Sequence, residues 1–227
     1  MQLYTVRGGN KEDALSKKYT LGIGISLGNK WFSTDNTLAL IEWALEHTKD
    51  IVIVYVADAI HAINLEVRNG INSARALNIA RRKGQTILEE IRNEIEKRGL
   101  PQDRILYATW EDMYEPPFIE KVQWMRAFYE RSSDFQSRIH TIVRDYSSNE
   151  ERQFSDEEVH KLGLYIVEES PEMIAKVPIK GVIFDANVYP FDSETVRFFE
   201  NIQKGLEFPE IKEKLLDIGP KVFLEVH

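Results

Sequence analysis

Two rhythms of apolar residues alternate along the chain. Residues 20–26 are apolar and interrupted by glycine, while "DIVIVYVAD" (50–58) is a nearly unbroken β-branched run, the pattern of strands buried on both faces. Between them Leu38, Ile41 and Leu45 recur at helical spacing behind Ser33 or Asp35, either of which can cap a helix. The opening is a strand–helix–strand unit. A long helix is predicted over about residues 72–98, with Leu77, Ile87, Leu88, Ile91 and Ile95 apolar and "KRGLP" as its stop. "RILYATW" is a further strand, and residues 116–148 read as one or two helices with a break near Ser132 and Ser133. Ser155 and Glu158 form a capping box for a helix expected to end near Ser170, because the residue before a proline, here Pro171, disfavours helical geometry. "KGVIFDANVY" predicts a last core strand, and "SETVRFFENIQKG" a helix closing on Gly205. Strands alternating with helices, without repeats or low-complexity linkers, predict a doubly wound α/β fold.

Length and composition narrow the picture. The 227 residues suffice for one sizeable α/β core, and a single domain over 1–227 is expected. No apolar run approaches the ~20 residues that span a bilayer, and the first residues lack the apolar core of a signal peptide. With no cysteine there is no disulfide framework, and the five histidines are dispersed, so no metal cluster is expected and the setting is expected to be cytoplasmic. A net charge of −8 argues against nucleic acid as a partner. One stretch runs the other way: between Glu66 and Glu89 there is no acidic residue, yet Arg68, Arg75, Arg81, Arg82 and Lys83 fall there.

The turn after the first predicted core strand, "LGIGISLGNKWFS", matches two motifs at once. Gly24 to Gly28 spell G-x-S-x-G, the elbow that presents a nucleophilic serine, and Gly22, Gly24 and Gly28 approach the dinucleotide fingerprint. The second match has its last glycine out of place and lacks a ribose-binding acid about 20 residues on. The first needs an acid and then a histidine to polarise Ser26, and His160 is the best-placed candidate, although its surroundings read as helix interior. A glycine-rich strand exit packed closely on a helix explains the same residues without chemistry.

Ser26 within "GIS", Asn29 three residues later, Tyr165 and Glu169 in "YIVEESP", and Tyr189 in "FDANVYPF" together resemble the tRNA-dependent cyclodipeptide synthases across nearly the whole chain. The resemblance implies a Rossmann-like fold with a mostly parallel sheet flanked by helices, similar to the catalytic domain of class I aminoacyl-tRNA synthetases. The chain has no "HIGH"-type or "KMSKS"-type stretch for ATP, so the amino acids are expected to arrive already activated as tRNA esters. Ser26 is then expected to accept the first aminoacyl group and a second aminoacyl-tRNA to supply the other, cyclisation releasing a diketopiperazine with no cofactor. Tyr165 and Glu169, at i and i+4 on one helix face, are expected to hold the α-ammonium, and Tyr189 to relay a proton at the ester. Gly24, Asn29, Asp58 and Tyr114 are the expected substrate-binding residues. Arg75, Arg81, Arg82 and Lys83 are expected to hold the acceptor stem of the first tRNA, with Arg68 and Arg92 extending the patch. The family implies a monomer. Pro190 after Tyr189 is typical of one branch of the family and Asn29 of the other. A serine hydrolase or acyltransferase built on Ser26 is the alternative reading, and a non-catalytic tRNA or nucleotide binder a third.

Overall fold

The computed structural model describes residues 1–148, 150–190 and 193–227. The chain order is β1 (Leu3–Arg7), α1 (Lys11–Leu15), β2 (Leu21–Ile25), α2 (Thr34–His47), β3 (Val52–Val56), α3 (Asp58–Asn69), α4 (Ser73–Lys97), β4 (Ile105–Thr109), α5 (Pro116–Arg131), α6 (Ser133–Ser147), α7 (Asp156–Ile174), β5 (Pro178–Ile179), β6 (Val182–Ile183), β7 (Ala186–Tyr189), α8 (Glu194–Lys204), α9 (Pro209–Leu215) and β8 (Val222–Val226). Six strands form one sheet in the order β1-β8-β7-β2-β3-β4, parallel throughout except for β1 against β8. The α/β expectation holds, and its sheet is mostly parallel and flanked by helices.

β3 is buried at all five positions, which is why its sequence shows no polar alternation. On one face of the sheet, Leu21, Ile23, Ile25, Val52, Val54 and Val56 pack with residues of α2 and α4, such as Leu38, Ile41, Ala80 and Ile91. Each of the leucine, isoleucine and valine side chains contributes roughly 1.5–3 kcal/mol by leaving water. On the other face Ile53 and Tyr55 meet Trp110, Phe118 and Phe184. A third cluster joins α5 to α9 through residues such as Phe128, Phe135, Ile166 and Phe198.

Local signals set most helix starts. Ser33 accepts from Asn36 N at 3.3 Å, and Ser155 accepts from Glu158 N while Glu158 accepts from Ser155 N at 2.9 Å. Ser132 ends α5 and caps α6, so the predicted break is real. Three expectations are revised. α7 does not stop at Ser170 but continues through Pro171 to Ile174: the Ser170 hydroxyl donates to the Ile166 carbonyl at 2.7 Å, and the segment is locked in the core, where Ile174 is fully buried. "KGVIFDANVY" is not one strand. Lys180 and Gly181, at φ of 50° and 77°, make the tight turn of the β5–β6 hairpin before β7 begins. The last core strand is instead β8, which pairs with β7 and carries β1 on its outer edge.

The sheet changes direction at β2. The chain builds outward through β3 and β4, then returns to lay β7 and β8 on the opposite side, so the carboxyl ends of β2 and β7 flank a topological switch point. Ligands of open parallel sheets bind in the crevice at such a point.

Candidate active site

Ser26 stands one residue beyond β2, at the mouth of this crevice. The turn that presents it is fastened from inside and outside. Asn29 N donates to Ser26 O at 3.2 Å, and Asn29 Oδ1 accepts from Trp31 N at 2.9 Å. From outside, Lys83 Nζ on α4 donates to Leu27 O at 3.0 Å. Gly22, Gly24 and Ser26 share one face of β2 because side chains alternate along a strand. A Cβ on Gly24 would lie 2.6 Å from Tyr55 Oη, and one on Gly22 would lie 2.5 Å from the Phe184 ring. Gly22 and Gly24, two of the glycines that resembled a phosphate loop, leave the room that the Phe184 ring and the Tyr55 side chain occupy against β2.

A cavity of about 510 Å³ opens over this face. Its wall includes Ser26 and Asn29 from the turn, Tyr55 from β3, Tyr165, Glu169 and Met173 from α7, and Asn187 and Tyr189 from β7. Tyr165, Glu169 and Met173 fall at i, i+4 and i+8, one stripe of α7 turned to the cavity. The Tyr165 hydroxyl interacts with Ser26, and the Tyr189 hydroxyl with Asn29.

These groups share a buried, electronegative setting. Burial pushes the Glu169 carboxyl up to about 8, with the charge of Glu172 adding to the effect. Burial also raises the Tyr165 hydroxyl well above the usual phenol range, and Glu169 adds to this while the Ser26 contact opposes it. Tyr189 is raised by burial and by Glu169, against its hydrogen bond with Asn29. At neutral pH the wall therefore presents neutral O–H groups and a largely protonated carboxyl. An ammonium entering beside Glu169 would lower that pKa again and form a buried ion pair, so the wall suits a primary amine held next to a serine hydroxyl.

The remaining residues expected at the site divide between the cavity and other parts of the fold. Gly24 is on the cavity wall. Asp58 is not: it starts α3, is 1% exposed, and its Oδ1 accepts from Ala59 N at 2.9 Å and Trp110 N at 3.0 Å, which ties the β3–α3 corner to the segment after β4. Tyr114 also lies off the wall, tilted against Phe118 at 6.0 Å between ring centres, with burial pushing its hydroxyl up to about 12. His160 faces away from Ser26, its ring stacked on Tyr129 at 4.7 Å and its Nε2 3.2 Å from Glu130. The histidine on the cavity wall is His61, which burial, with Lys83 and Arg68 nearby, lowers to about 4. Among the described residues no hydrogen bond joins His61 to Ser26 or Asp58, so no hydrolase triad forms.

The basic island divides. Arg75 and Arg82 are exposed on α4, whereas Arg81 pairs with Glu111, Lys83 holds Leu27 O, and Arg68 pairs with Glu150 at the cavity edge. Arg92 lies over the Tyr107 ring at 4.8 Å. Sequence reasoning missed Tyr55, His61, Met173 and Asn187. Met173 carried a signal, since it continues the i, i+4 stripe of Tyr165 and Glu169, but it lay beyond the expected end of the helix.

Residues 8–204 match the cyclodipeptide synthase family. The chain is 24% identical over 193 residues to the cyclo(L-leucyl-L-phenylalanyl) synthase of Streptomyces noursei, covering 83% of this chain and 80% of that protein. A cyclodipeptide synthase structure from Bacillus thermoamylovorans superposes with a TM-score of 0.73 at 20% identity, over 95% of this chain and 93% of that one. A Mycobacterium tuberculosis structure, described as relating cyclodipeptide synthetases to type I tRNA synthetases, gives 0.63 at 18% identity over 87% and 83% of the two chains. A cyclodipeptide synthase from Candidatus Glomeribacter gigasporarum, bound to Phe-tRNA, gives 0.59 at 20% identity over 92% and 87%. The sequence match takes in the Ser26 turn, the α7 stripe and the β7 end that together wall the cavity, and the chain belongs to the cyclodipeptide synthases, a family of aminoacyl-transferring enzymes.

Proposed function

We propose that this enzyme draws two aminoacyl groups in turn from two aminoacyl-tRNAs and joins them through an ester on Ser26. The observation that carries the reading is the convergence of Ser26, Tyr165, Glu169 and Tyr189, from three separate elements, on one cavity at the sheet's switch point. The relative solved with Phe-tRNA supports aminoacyl-tRNA as the substrate class.

Ser26 Oγ attacks the ester carbonyl of the first aminoacyl-tRNA. The bond to Oγ forms, the bond to the ribose oxygen breaks, and the serine proton passes to that oxygen by way of the vicinal ribose hydroxyl. A tRNA ester is reactive enough that no imidazole base is required, which agrees with the absence of a triad among the described residues. Glu169 and Tyr165 hold the α-ammonium of the acyl group, while Asn29 fixes the turn. The amine of the second aminoacyl-tRNA, once it has lost a proton, attacks the Ser26 ester to form the first amide, and Ser26 recovers its proton with Tyr189 placed to relay it. The free amine of the resulting dipeptidyl-tRNA then attacks the remaining ester, closing the ring and releasing the second tRNA. Arg75 and Arg82, exposed on α4, are the cations assigned in this reading to the backbone of the first tRNA, on the element that also braces the Ser26 turn.

Ser26→Ala is expected to abolish both the aminoacyl-enzyme and the cyclic dipeptide while leaving tRNA affinity within about twofold, as read by intact-protein mass spectrometry, product analysis and filter binding. Full product formation by that variant would overturn the reading.

A further inference from the structure

The inner end of the cavity is polar in a way the reaction above does not use. Tyr55 lies beside Gly24 in the β2–β3 register, and Asn187 lies beside Gly22 in the β2–β7 register, so the two reach over the glycine side of β2 from opposite flanks. Tyr55 Oη donates to Asn187 Oδ1 at 3.5 Å, and Asn187 Nδ2 donates to Glu172 Oε1 at 3.0 Å. Lys221 Nζ lies 3.6 Å from that same Glu172 oxygen, donates to Phe184 O at 3.4 Å and stands 3.2 Å from the centre of the Phe184 ring. Glu172 is 1% exposed and Lys221 is fully buried, behind the cavity rather than on it.

A buried ion pair of this kind adds little stability over a well-packed apolar pair. It does fix an orientation. Because Glu172 takes both charge from Lys221 and the N–H of Asn187, the Asn187 amide is turned with its oxygen toward Tyr55 and the cavity. The cavity floor consequently offers acceptors: Asn187 Oδ1, the lone pairs of the Tyr55 hydroxyl, and the negative field of Glu172 behind them. An apolar group placed there strands those acceptors, and a carboxylate meets like charge. An N–H or O–H donor complements them.

The three arms of an acyl group on Ser26 decide what reaches this floor. The carbonyl is tied to Oγ, the ammonium turns to Tyr165 and Glu169 on the α7 wall, and the side chain is left to run down β2 over Gly24. We propose that Tyr55 and Asn187, oriented by the Glu172–Lys221 pair, are specificity-determining residues that select for Ser26 an amino acid whose side chain ends in an N–H or O–H donor. The inference rests on the reading of Ser26 as the acyl carrier.

The test charges tRNAs separately with Leu, Phe, Glu, Ser, Tyr, Gln, His and Arg, and follows the rate of mass gain on the enzyme. At least one donor-ended amino acid is expected to load about ten- to a hundred-fold faster than Leu, Phe or Glu. Asn187→Leu is expected to bring Leu or Phe loading up to that of the donor set. Tyr55→Phe removes a single oxygen, keeps the fold if Asn187→Leu does not, and is expected to narrow the preference several-fold at an unchanged melting temperature. Loading of Leu or Phe as fast as the best donor-ended amino acid in the unaltered enzyme overturns the inference, as does a preference that Tyr55→Phe leaves intact. Loading by no aminoacyl-tRNA at all is a different result, which removes Ser26 as the carrier and the inference with it.

Discussion

At Glu169 the fold works against its own carboxylate. The ordinary value of 4.5 rises to about 8, so between those limits the folded chain binds a proton that the unfolded chain has released. Stability therefore falls as pH rises through that window, the reverse of a salt-bridged carboxylate. Glu169→Gln removes this slope. Its stability, followed by melting temperature, is expected to match the parent near pH 4.5 and to exceed it progressively up to pH 8, by an amount on the order of a few kcal/mol at most. Parallel melting curves across that range would contradict the assigned burial. The same variant is expected to lose cyclic dipeptide formation, since an amide cannot pair with the ammonium of an acyl group. Tyr165 and Glu169 were picked out by the family resemblance, and helical spacing then put them, at i and i+4, on one face. Tyr55 and Asn187 were not legible, because each is an ordinary strand residue until register sets it beside a glycine of β2.

Helices and strands meet at the Ser26 turn through one long side chain. Lys83 was read in the sequence as a phosphate contact of the basic helix, and in the fold its Nζ donates to Leu27 O, next to Ser26. Lys83→Met keeps the length of the side chain and loses the donor. If Lys83 braces the turn, acyl transfer to Ser26 is expected to slow about tenfold while tRNA affinity and its salt dependence stay nearly unchanged. A loss of affinity with an undiminished transfer rate would return Lys83 to the tRNA surface. Most element boundaries followed from local signals, such as Ser33, Ser132 and the Ser155–Glu158 box. The end of α7 did not, since the Pro171 rule is a local preference and burial of Ile174 outweighs it.

Over the whole molecule a net charge of −8 must coexist with the anionic tRNA proposed as substrate. On that proposal the exposed cations of α4 resolve this locally, because fields act over a Debye length of ~10 Å rather than through the total. Replacing Arg75 and Arg82 together by Ala is expected to weaken tRNA binding and to reduce the slope of log affinity against log salt by about one per lost contact. An unchanged slope would place the tRNA elsewhere. By itself the sequence determined the alternation of strand and helix, the caps at Ser33 and Ser155, the serine turn and the shared helix face of Tyr165 and Glu169, since these depend on neighbours within a few residues. The edge strand β1, the closing strand β8 and the polar floor of the cavity were decided by tertiary structure alone. β1 and β8 are as long as β2, β3 and β4, but no local pattern shows that they pair with each other and with β7, and Tyr55, Asn187, Glu172 and Lys221 are joined by hydrogen bonds and charge across segments up to 166 residues apart, counting from 55 to 221. Only strand pairing and burial, which no local pattern encodes, bring them to one floor.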